Sequence, residues 1–228
     1  MNESLDKGKR VAGHPEQSHG HIKINALAAI SDRDGEPRHY HSALPLKELP
    51  KATTRRLSRF EKCVIACVMG LGEELGDIPM VLGSRYGTVA SNTLQLLKQL
   101  NGEDVLSPTR FSLSVHNASV GLASQLMKIH ADYSAIAAGA RTLNALYTEA
   151  LARLRDGADQ LIIIYADTPL TEEYAPFNTI DHEYYFAALI SANGQADANA
   201  TEFTALLRAS DLDGVFALFD AMEKGVPA

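Results

Sequence analysis

The segment QLIIIYAD, residues 160 to 167, constrains the fold of this chain more strongly than any other stretch. Its six central residues are all apolar, so both faces of the strand that it forms must be buried. A strand buried on both faces is typical of a sheet that helices cover on two sides. The preceding segment repeats apolar residues at three- and four-residue steps, which indicates an amphipathic helix. These residues are Leu143, Leu146, Tyr147, Ala150, Leu151 and Leu154. Strand and helix together predict an α/β domain.

Other strand and helix patterns alternate along the chain. Strand patterns occur at residues 21 to 30, in IPMVLG, at residues 133 to 138 and in EYYFAALISANG. Helix patterns occur at about residues 55 to 75 and 120 to 129, within residues 201 to 225, and after Gly87, where Leu94, Leu97 and Leu100 share one side. Residues 31 to 54 are rich in turn formers and predict a surface connection. We therefore expect one domain of about five strands over residues 21 to 228, preceded by a disordered tail of residues 1 to 20.

Charge and hydropathy limit the classes of partner. The 228 residues carry a formal net charge of −7, which predicts no basic face for a phosphate backbone and no nucleic-acid partner. No apolar run reaches the ~18 residues that a membrane span needs, and the N-terminus is polar where a signal peptide needs an apolar region. We expect a cytoplasmic protein.

Neither the cysteines nor the histidines predict a metal site or a cofactor. Cys63 and Cys67 lie four residues apart in a helical pattern, which places both thiols on one helix face with no second pair to complete a site. We expect both in the core. His14, His19 and His21 lie in the polar tail, where we expect them to be solvated.

The residue at the junction of strand and helix is unusual. The apolar run from Tyr133 ends at Ala138-Gly139, and the helical pattern follows at once. Such an elbow exposes one side chain next to a helix N-terminus, so several α/β enzymes place a nucleophile there. Two interpretations of Gly139 remain open from the residues alone. Glycine allows close packing or a positive φ, or it marks a reactive position that has been emptied.

The segment KIHADYSAIAAGARTLNALYTEALARLRDGADQLIIIYADT resembles the nucleophile region of the β-ketoacyl synthases. A Lys-Ile stretch, an acidic residue followed by a serine, a strand of small residues, a helix and a G-x-D before an apolar strand occur in the family's order. In this alignment the family's catalytic cysteine falls on Gly139. SPTRFSLSVHNASVGLASQLMKI and LPKATTRRLSRFEKCVIACV extend the resemblance over most of residues 21 to 195. They are similar to the chain-length-factor-like subunits that accompany a ketosynthase in aryl polyene pigment clusters.

This resemblance implies a fold and a function. The fold would be a single incomplete thiolase-like copy, the N-terminal half of a ketosynthase, with a mixed five-stranded sheet, helices on both faces and an antiparallel last strand. The family's two active-site histidines belong to a second half that we do not expect here. The chain would be a catalytically inactive subunit that pairs with a β-ketoacyl-ACP synthase in aryl polyene or related type II fatty acid or polyketide biosynthesis. It would stabilise the synthase and cap its acyl tunnel, and the acyl carrier protein would be involved only indirectly.

The resemblance also assigns two groups of site residues. The heterodimer interface would use the strand before the elbow and a preceding loop: Tyr133, Ser134, Ala135, Ile136, Ala137, Val115, His116 and Asn117. The floor of the partner's acyl tunnel would be formed by Ala118, Leu122, Gln125, Leu126 and Met127.

Two alternatives from other classes stay open. The chain would be a stand-alone acyl hydrolase or acyltransferase if Ser84, Ser114 or His116 formed a nucleophile and base. It would be a homodimeric small-molecule-binding module if the glycine-flanked turn from Gly83 to Gly87 held a phosphate on its backbone amides.

Overall fold

The computed structural model describes residues 22–102, 104–192 and 197–225. The predicted tail, residues 1 to 20, lies outside the described residues. Residues 160 to 167 form a strand along their whole predicted length. Ile162 and Ile164 pack on one face of the sheet, and Ile163 and Tyr165 pack on the other. Burial on both faces, which the sequence predicted, is confirmed.

Among the described residues the sheet is mixed and has six strands in the order β2-β1-β6-β5-β3-β4. The strands are β1 (Lys23–Ser31), β2 (Arg38–His41), β3 (Met80–Gly83), β4 (Tyr133–Ile136), β5 (Gln160–Asp167) and β6 (Tyr184–Ser191). The last strand, β6, runs antiparallel to both of its neighbours, β1 and β5. β3 pairs in parallel with β4 and with β5. The antiparallel last strand is as expected.

Helices cover both faces of the sheet. They are α1 (Lys51–Thr54), α2 (Arg59–Gly70), α3 (Leu94–Asn101), α4 (Pro108–Leu113), α5 (Ala118–Met127), α6 (Thr142–Arg155), α7 (Ala198–Ala209) and α8 (Leu212–Glu223). The residues of α2 and α5 pack into the core on one face, and those of α6, α7 and α8 pack into the core on the other. Short 3₁₀ helices occur at Leu46–Glu48, Gly139–Arg141 and Glu172–Phe177, and Val89–Thr93 form a π-helical turn before α3.

The sixth strand, β2, lies in the segment that we expected to be a surface connection. It pairs antiparallel with β1. Its Tyr40 is buried with its ring 5.6 Å from that of Phe216 in α8. Arg38 forms ion pairs with Asp220 and, at 2.7 Å, with Glu223 of the same helix. Contacts with a helix about 180 residues away therefore stabilise β2, and no local pattern predicts them.

The helix predicted at residues 55 to 75 is shorter than expected. It begins after Ser58, whose side chain and backbone form a reciprocal capping box with Glu61. It ends at Gly70, where a Cβ would lie 2.3 Å from the carbonyl oxygen of Ser42. Glycine is required there because the helix and the chain at Ser42 approach so closely.

Candidate functional site

The elbow between β4 and α6 is open. Gly139 has a φ of +57°, and a Cβ built on it would meet nothing within 4 Å. The hydroxyl of Thr142 accepts a hydrogen bond from the amide of Ala138 at 3.1 Å and donates one to the carbonyl of Gly139 at 2.7 Å. The sequence offered close packing or a positive φ as structural reasons for a glycine here. Close packing is wrong, because no atom lies within 4 Å of the position that a Cβ would occupy. The positive φ is confirmed.

The chemistry available at this elbow is limited. Residues 137 to 140 read Ala-Ala-Gly-Ala, and all four are exposed. A side chain at position 139 would project into open space at the N-terminal end of α6, where partial positive charge favours an anion. The elbow has the geometry for a nucleophile, but its own side chains offer neither a nucleophile nor an acid or base.

A buried carboxylate organises the turn after β3. Asp167 accepts hydrogen bonds from the hydroxyl of Ser84 at 3.0 Å, from the amides of Arg85 and Tyr86 at 2.9 to 3.0 Å, and from the hydroxyl of Tyr165 at 2.6 Å. Burial raises the pKa of Asp167, and these donated hydrogen bonds oppose that shift. Asp167 thus holds the turn from the end of β5.

The same bonds occupy the turn that was a candidate phosphate cradle. The amide of Ser84 donates to the carbonyl of Ile136 at 3.0 Å, and that of Gly87 donates to the hydroxyl of Ser84 at 2.7 Å. With the two amides bound to Asp167, all four amides from Ser84 to Gly87 donate within the chain. An anion nest needs amides that point at the ligand, so this turn does not support the small-molecule-binding alternative.

The serine-hydrolase alternative also lacks its geometry. The hydroxyl of Ser84 is buried and donates to Asp167, and Nε2 of His116 bonds the carbonyl oxygen of Ser84 at 3.0 Å rather than its hydroxyl. The hydroxyl of Ser114 donates to the carbonyl of Phe111 at 2.8 Å. A catalytic serine needs its hydroxyl bonded to a base. None of these three residues forms such a pair.

The residues predicted for the interface lie together at one edge of the sheet. β4 is the last strand and bonds only to β3 among the described strands. Tyr133 is 39% exposed and Val115 is 51% exposed. Ser84 joins the two segments, because its amide bonds Ile136 and its carbonyl bonds His116. Ser134, Ala135 and Ile136 are half-buried, and Ala137 and Asn117 are exposed.

The residues predicted for the tunnel floor lie on α5, which packs behind this edge. Ala118, Leu122, Leu126 and Met127 are half-buried against the core on the α2 side, and Gln125 is exposed. A Cβ on Gly121 would lie 2.9 Å from the hydroxyl of Tyr133. This glycine therefore lets the aromatic ring of the edge strand pack close to the helix.

The structure contains a basic cleft that the net charge concealed. Two adjoining depressions of about 520 and 530 Å³ share Arg55. Their linings hold seven of the chain's 21 lysines and arginines and no acidic residue: Lys47, Lys51, Arg55, Arg56, Arg59, Lys62 and Arg110. The expectation that the chain has no basic face is therefore wrong. Six of these seven lie between residues 47 and 62, so a local count of charge would have found the cleft.

The cysteines lie in the core, as expected. Cys63 and Cys67 are fully buried in α2, and burial raises the pKa of the Cys63 thiol to about 12. Within residues 22–102, 104–192 and 197–225, three or more His, Cys, Asp or Glu side chains nowhere group to hold a metal ion. The helices of this same part of the chain are all too short or too polar to cross a membrane.

Comparisons with known proteins agree with this architecture. The family model for the β-ketoacyl synthase N-terminal domain matches residues 30–213. A search of the curated proteins finds no match. Among solved structures, the complex of a ketosynthase (ApeO) with its chain length factor (ApeC) from Xenorhabdus doucetiae matches with a TM-score of 0.66 at 21% identity. The match covers 82% of this chain and 92% of the other.

Two further structures show the same likeness. The ishigamide ketosynthase/chain length factor has a TM-score of 0.62 at 14% identity, over 91% of this chain and 82% of the other. A β-ketoacyl synthase from Burkholderia phymatum STM815 has a TM-score of 0.60 at 9% identity, over 76% of this chain and 59% of the other. These likenesses confirm the predicted thiolase-like α/β fold.

Proposed function

The chain belongs to the β-ketoacyl synthase N-terminal domain family, and on that premise we propose that it is a non-catalytic, chain-length-factor-like partner of a β-ketoacyl-ACP synthase. The partner would act in aryl polyene or related type II fatty acid or polyketide biosynthesis. One observation carries the proposal. The elbow where the resemblance places the family's cysteine has the open, positive-φ geometry of a nucleophile site, and its residue is Gly139.

Glycine at this position removes the covalent step. Accepting an acyl chain as a thioester requires a thiolate at the elbow. The two cysteines of this chain are buried in α2 and are held as neutral thiols by burial, which raises both of their pKa values. Neither can take over the missing role, so the chemistry would belong to the partner.

The edge strand β4 supports the pairing step. Among the described strands it ends the sheet, carries no charged side chain of its own and is only four residues long. A sheet edge with free backbone groups is a template for another strand. Pairing there would continue the sheet into the synthase and place Gly139 and α5 next to the subunit boundary.

The position of α5 supports the capping role. Leu122, Leu126 and Met127 are half-buried apolar side chains directly behind the edge strand. In the proposed complex these side chains close the far end of the partner's acyl tunnel, so their volume limits the length of the chain that fits.

Co-expression tests the pairing. The chain is produced alone and with each full-length β-ketoacyl synthase from the same source, and the soluble mass is determined by light scattering. We expect a one-to-one complex with one synthase and aggregation of the chain alone, since an uncovered sheet edge is a liability. A stable homodimer or monomer that binds none of the synthases would overturn the proposal.

Product length tests the capping role. In the reconstituted complex, Leu126→Ala and Met127→Ala enlarge the space at the boundary and should shift the products to longer chains. Thr148→Ala is the control, because Thr148 is an exposed residue of α6 on the opposite face of the sheet. An unchanged product distribution in the α5 variants would refute tunnel capping and leave the pairing intact.

A further inference from the structure

The two depressions of the basic cleft differ in their chemistry. One, of about 520 Å³, is lined by three arginines and no lysine, whereas the other is lined by Lys47, Lys51 and Lys62 as well as two arginines. Hydroxyl and amide side chains accompany the arginines in the first depression. We call it the arginine pocket, and its main polar lining consists of Arg55, Arg56, Asn92, Ser107, Thr109 and Arg110.

The cations of the arginine pocket have no internal counter-charge. Arg55 and Arg56 are exposed, and neither forms an ion pair with another described residue. Arg59 of the other depression is by contrast paired with Glu183 at 2.6 Å. A concave surface lined by one sign of charge attracts ions of the opposite sign. The charges of the arginine pocket are therefore available to an anion from solution.

Arg110 and two hydroxyl groups add donors that are not used within the described part of the chain. Nη1 of Arg110 donates to the carbonyl of Ser91 at 3.0 Å, which holds the guanidinium in place while its other nitrogens have no partner there. The Ser107 hydroxyl accepts the amide of Arg110 at 3.3 Å, so its hydrogen remains available. The hydroxyl of Thr109 bonds no other described residue. Guanidinium forks with added hydroxyl donors match the oxygens of a phosphate group.

The carboxylate of Glu61 is bound to two residues of the pocket wall but does not line the pocket itself. It is fully buried and accepts hydrogen bonds from the amide and hydroxyl of Ser58 and from Nδ2 of Asn92. The second hydrogen of that Nδ2 is donated to the carbonyl of Leu113 at 3.2 Å. Oδ1 of Asn92 then has no partner among the described residues. As an acceptor, it suits a hydroxyl group of a ligand rather than a phosphate oxygen.

The size and the apolar lining of the pocket favour a small ligand over a membrane. Its volume of about 520 Å³ lies within the range of small-molecule sites. Its apolar residues, Leu57 and Leu113, are buried, and none of the large exposed hydrophobic side chains of the described residues lines either depression. A surface that enters the membrane interface presents exposed apolar side chains together with its cations.

We propose that the arginine pocket binds a soluble phosphate ester that carries at least one free hydroxyl group. The three arginines bind the phosphate oxygens, the hydroxyls of Ser107 and Thr109 donate to the same group, and Oδ1 of Asn92 accepts from the ligand's hydroxyl. This inference goes beyond the proposed function, because neither pairing nor tunnel capping requires a small molecule in this pocket.

Calorimetric titration with glycerol 3-phosphate tests the site. The full-length chain is used in its soluble form, which is the complex with the synthase if the chain alone aggregates. We expect one molecule to bind per copy of this chain with a submillimolar dissociation constant. Inorganic phosphate, which lacks the organic hydroxyls, should bind more weakly, and glycerol should not bind.

Matched substitutions separate a built site from general attraction by charge. Arg56→Gln should raise the dissociation constant at least tenfold, and Arg56→Lys at least threefold, because an ammonium group lacks the planar fork. Lys62→Gln is the control, since it removes the same charge from the neighbouring depression and should change the constant less than twofold. Neither side chain forms a hydrogen bond within the described part of the chain, so these variants should fold.

Three results would overturn the inference. Glycerol 3-phosphate does not bind, or Arg56→Gln and Lys62→Gln weaken its binding equally, which would show attraction by charge without a site. In the third, phosphatidylglycerol vesicles or a polyglutamate peptide bind the cleft while glycerol 3-phosphate does not, and the occupant is then a lipid surface or an acidic protein. Each result leaves the pairing with a synthase untouched, because that pairing is measured separately by light scattering.

Discussion

Replacing Gly139 with cysteine should place an exposed, reactive thiol at the elbow without unfolding the protein. The cost comes from the backbone, because an L-residue in the left-handed region is disfavoured by about 1 kcal/mol relative to glycine. No steric cost is added, since a Cβ at this position meets nothing within 4 Å. We therefore expect Gly139→Cys to lower the free energy of unfolding by about 1 kcal/mol, measured by urea denaturation.

The thiol should also be more acidic than an ordinary cysteine. It would lie at the N-terminal end of α6, where the helix dipole stabilises a thiolate. Gly157 is the matched control, because it has a φ of +111°, lies in open space and follows the C-terminal end of the same helix. An effect of about 0.5 kcal/mol at each end amounts to a difference of about 0.7 pKa units between the two thiols.

Titration with a thiol reagent as a function of pH measures both effects. The native wild-type chain should show no reactive thiol, because Cys63 and Cys67 are fully buried. Gly139→Cys and Gly157→Cys should each show one, and the one at position 139 should react at lower pH. An unreactive Cys at position 139, or a loss of more than about 3 kcal/mol, would refute the open elbow.

Three further substitutions test other parts of the structure. Asp167→Asn replaces a carboxylate that accepts hydrogen bonds from four donors by an amide that carries N–H donors of its own. It should lower the free energy of unfolding, measured by urea denaturation, by about 3 kcal/mol. A decrease under about 1 kcal/mol would contradict the hydrogen-bond network. The buried thiols keep their raised pKa values in the folded state, so their stabilisation is complete below the unfolded thiol pKa of about 8.5 and is lost as pH rises toward the folded value. Between pH 7 and 10 this loss should be about 2 kcal/mol per thiol, and the Cys63→Ala, Cys67→Ala double variant should lose correspondingly less stability over that range. Gly70→Ala should fail to fold or lose more than about 3 kcal/mol, because its Cβ would lie 2.3 Å from the Ser42 carbonyl oxygen; a native-like melting temperature would contradict that close approach.

Local patterns in the sequence predict much of this fold. The apolar run of β5 fixes the central strand because its composition alone requires burial on both faces. The apolar spacing of α6 likewise predicts a helix, since tertiary contacts reinforce the pattern. Where local and tertiary preferences agree, the element and its type are predictable.

Other features depend on contacts that no local pattern records. β2 is stabilised by Arg38 and Tyr40 against α8, across about 180 residues of chain. The apolar side of α3 predicts burial, but within the described part of the chain only Leu94 of that side is buried. An amphipathic pattern does not distinguish a helix that faces its own core from one that faces a partner.

The site was predictable only in part. The apolar run and the helical pattern after it placed the elbow at Gly139, and the resemblance aligned the family's cysteine with it, but the residues alone left its role undecided. The open space around Gly139 and its positive φ depend on the path of the backbone, and that path cannot be predicted from the local sequence. Asp167 gave no signal as the organiser of the turn, because its four donors come from both the turn and its own strand.

The position of β6 has a consequence for how the chain is made. β1 ends at Ser31, yet its central neighbour β6 begins only at Tyr184, and the same strand also pairs with β5. At translation rates of about 5–20 residues per second, β1 waits roughly 8 to 30 seconds on the ribosome for that neighbour. During this time its apolar residues are accessible to chaperones. The sheet can close only after the ribosome has released residues 184 to 191, so the strands on either side of β6 join late in synthesis.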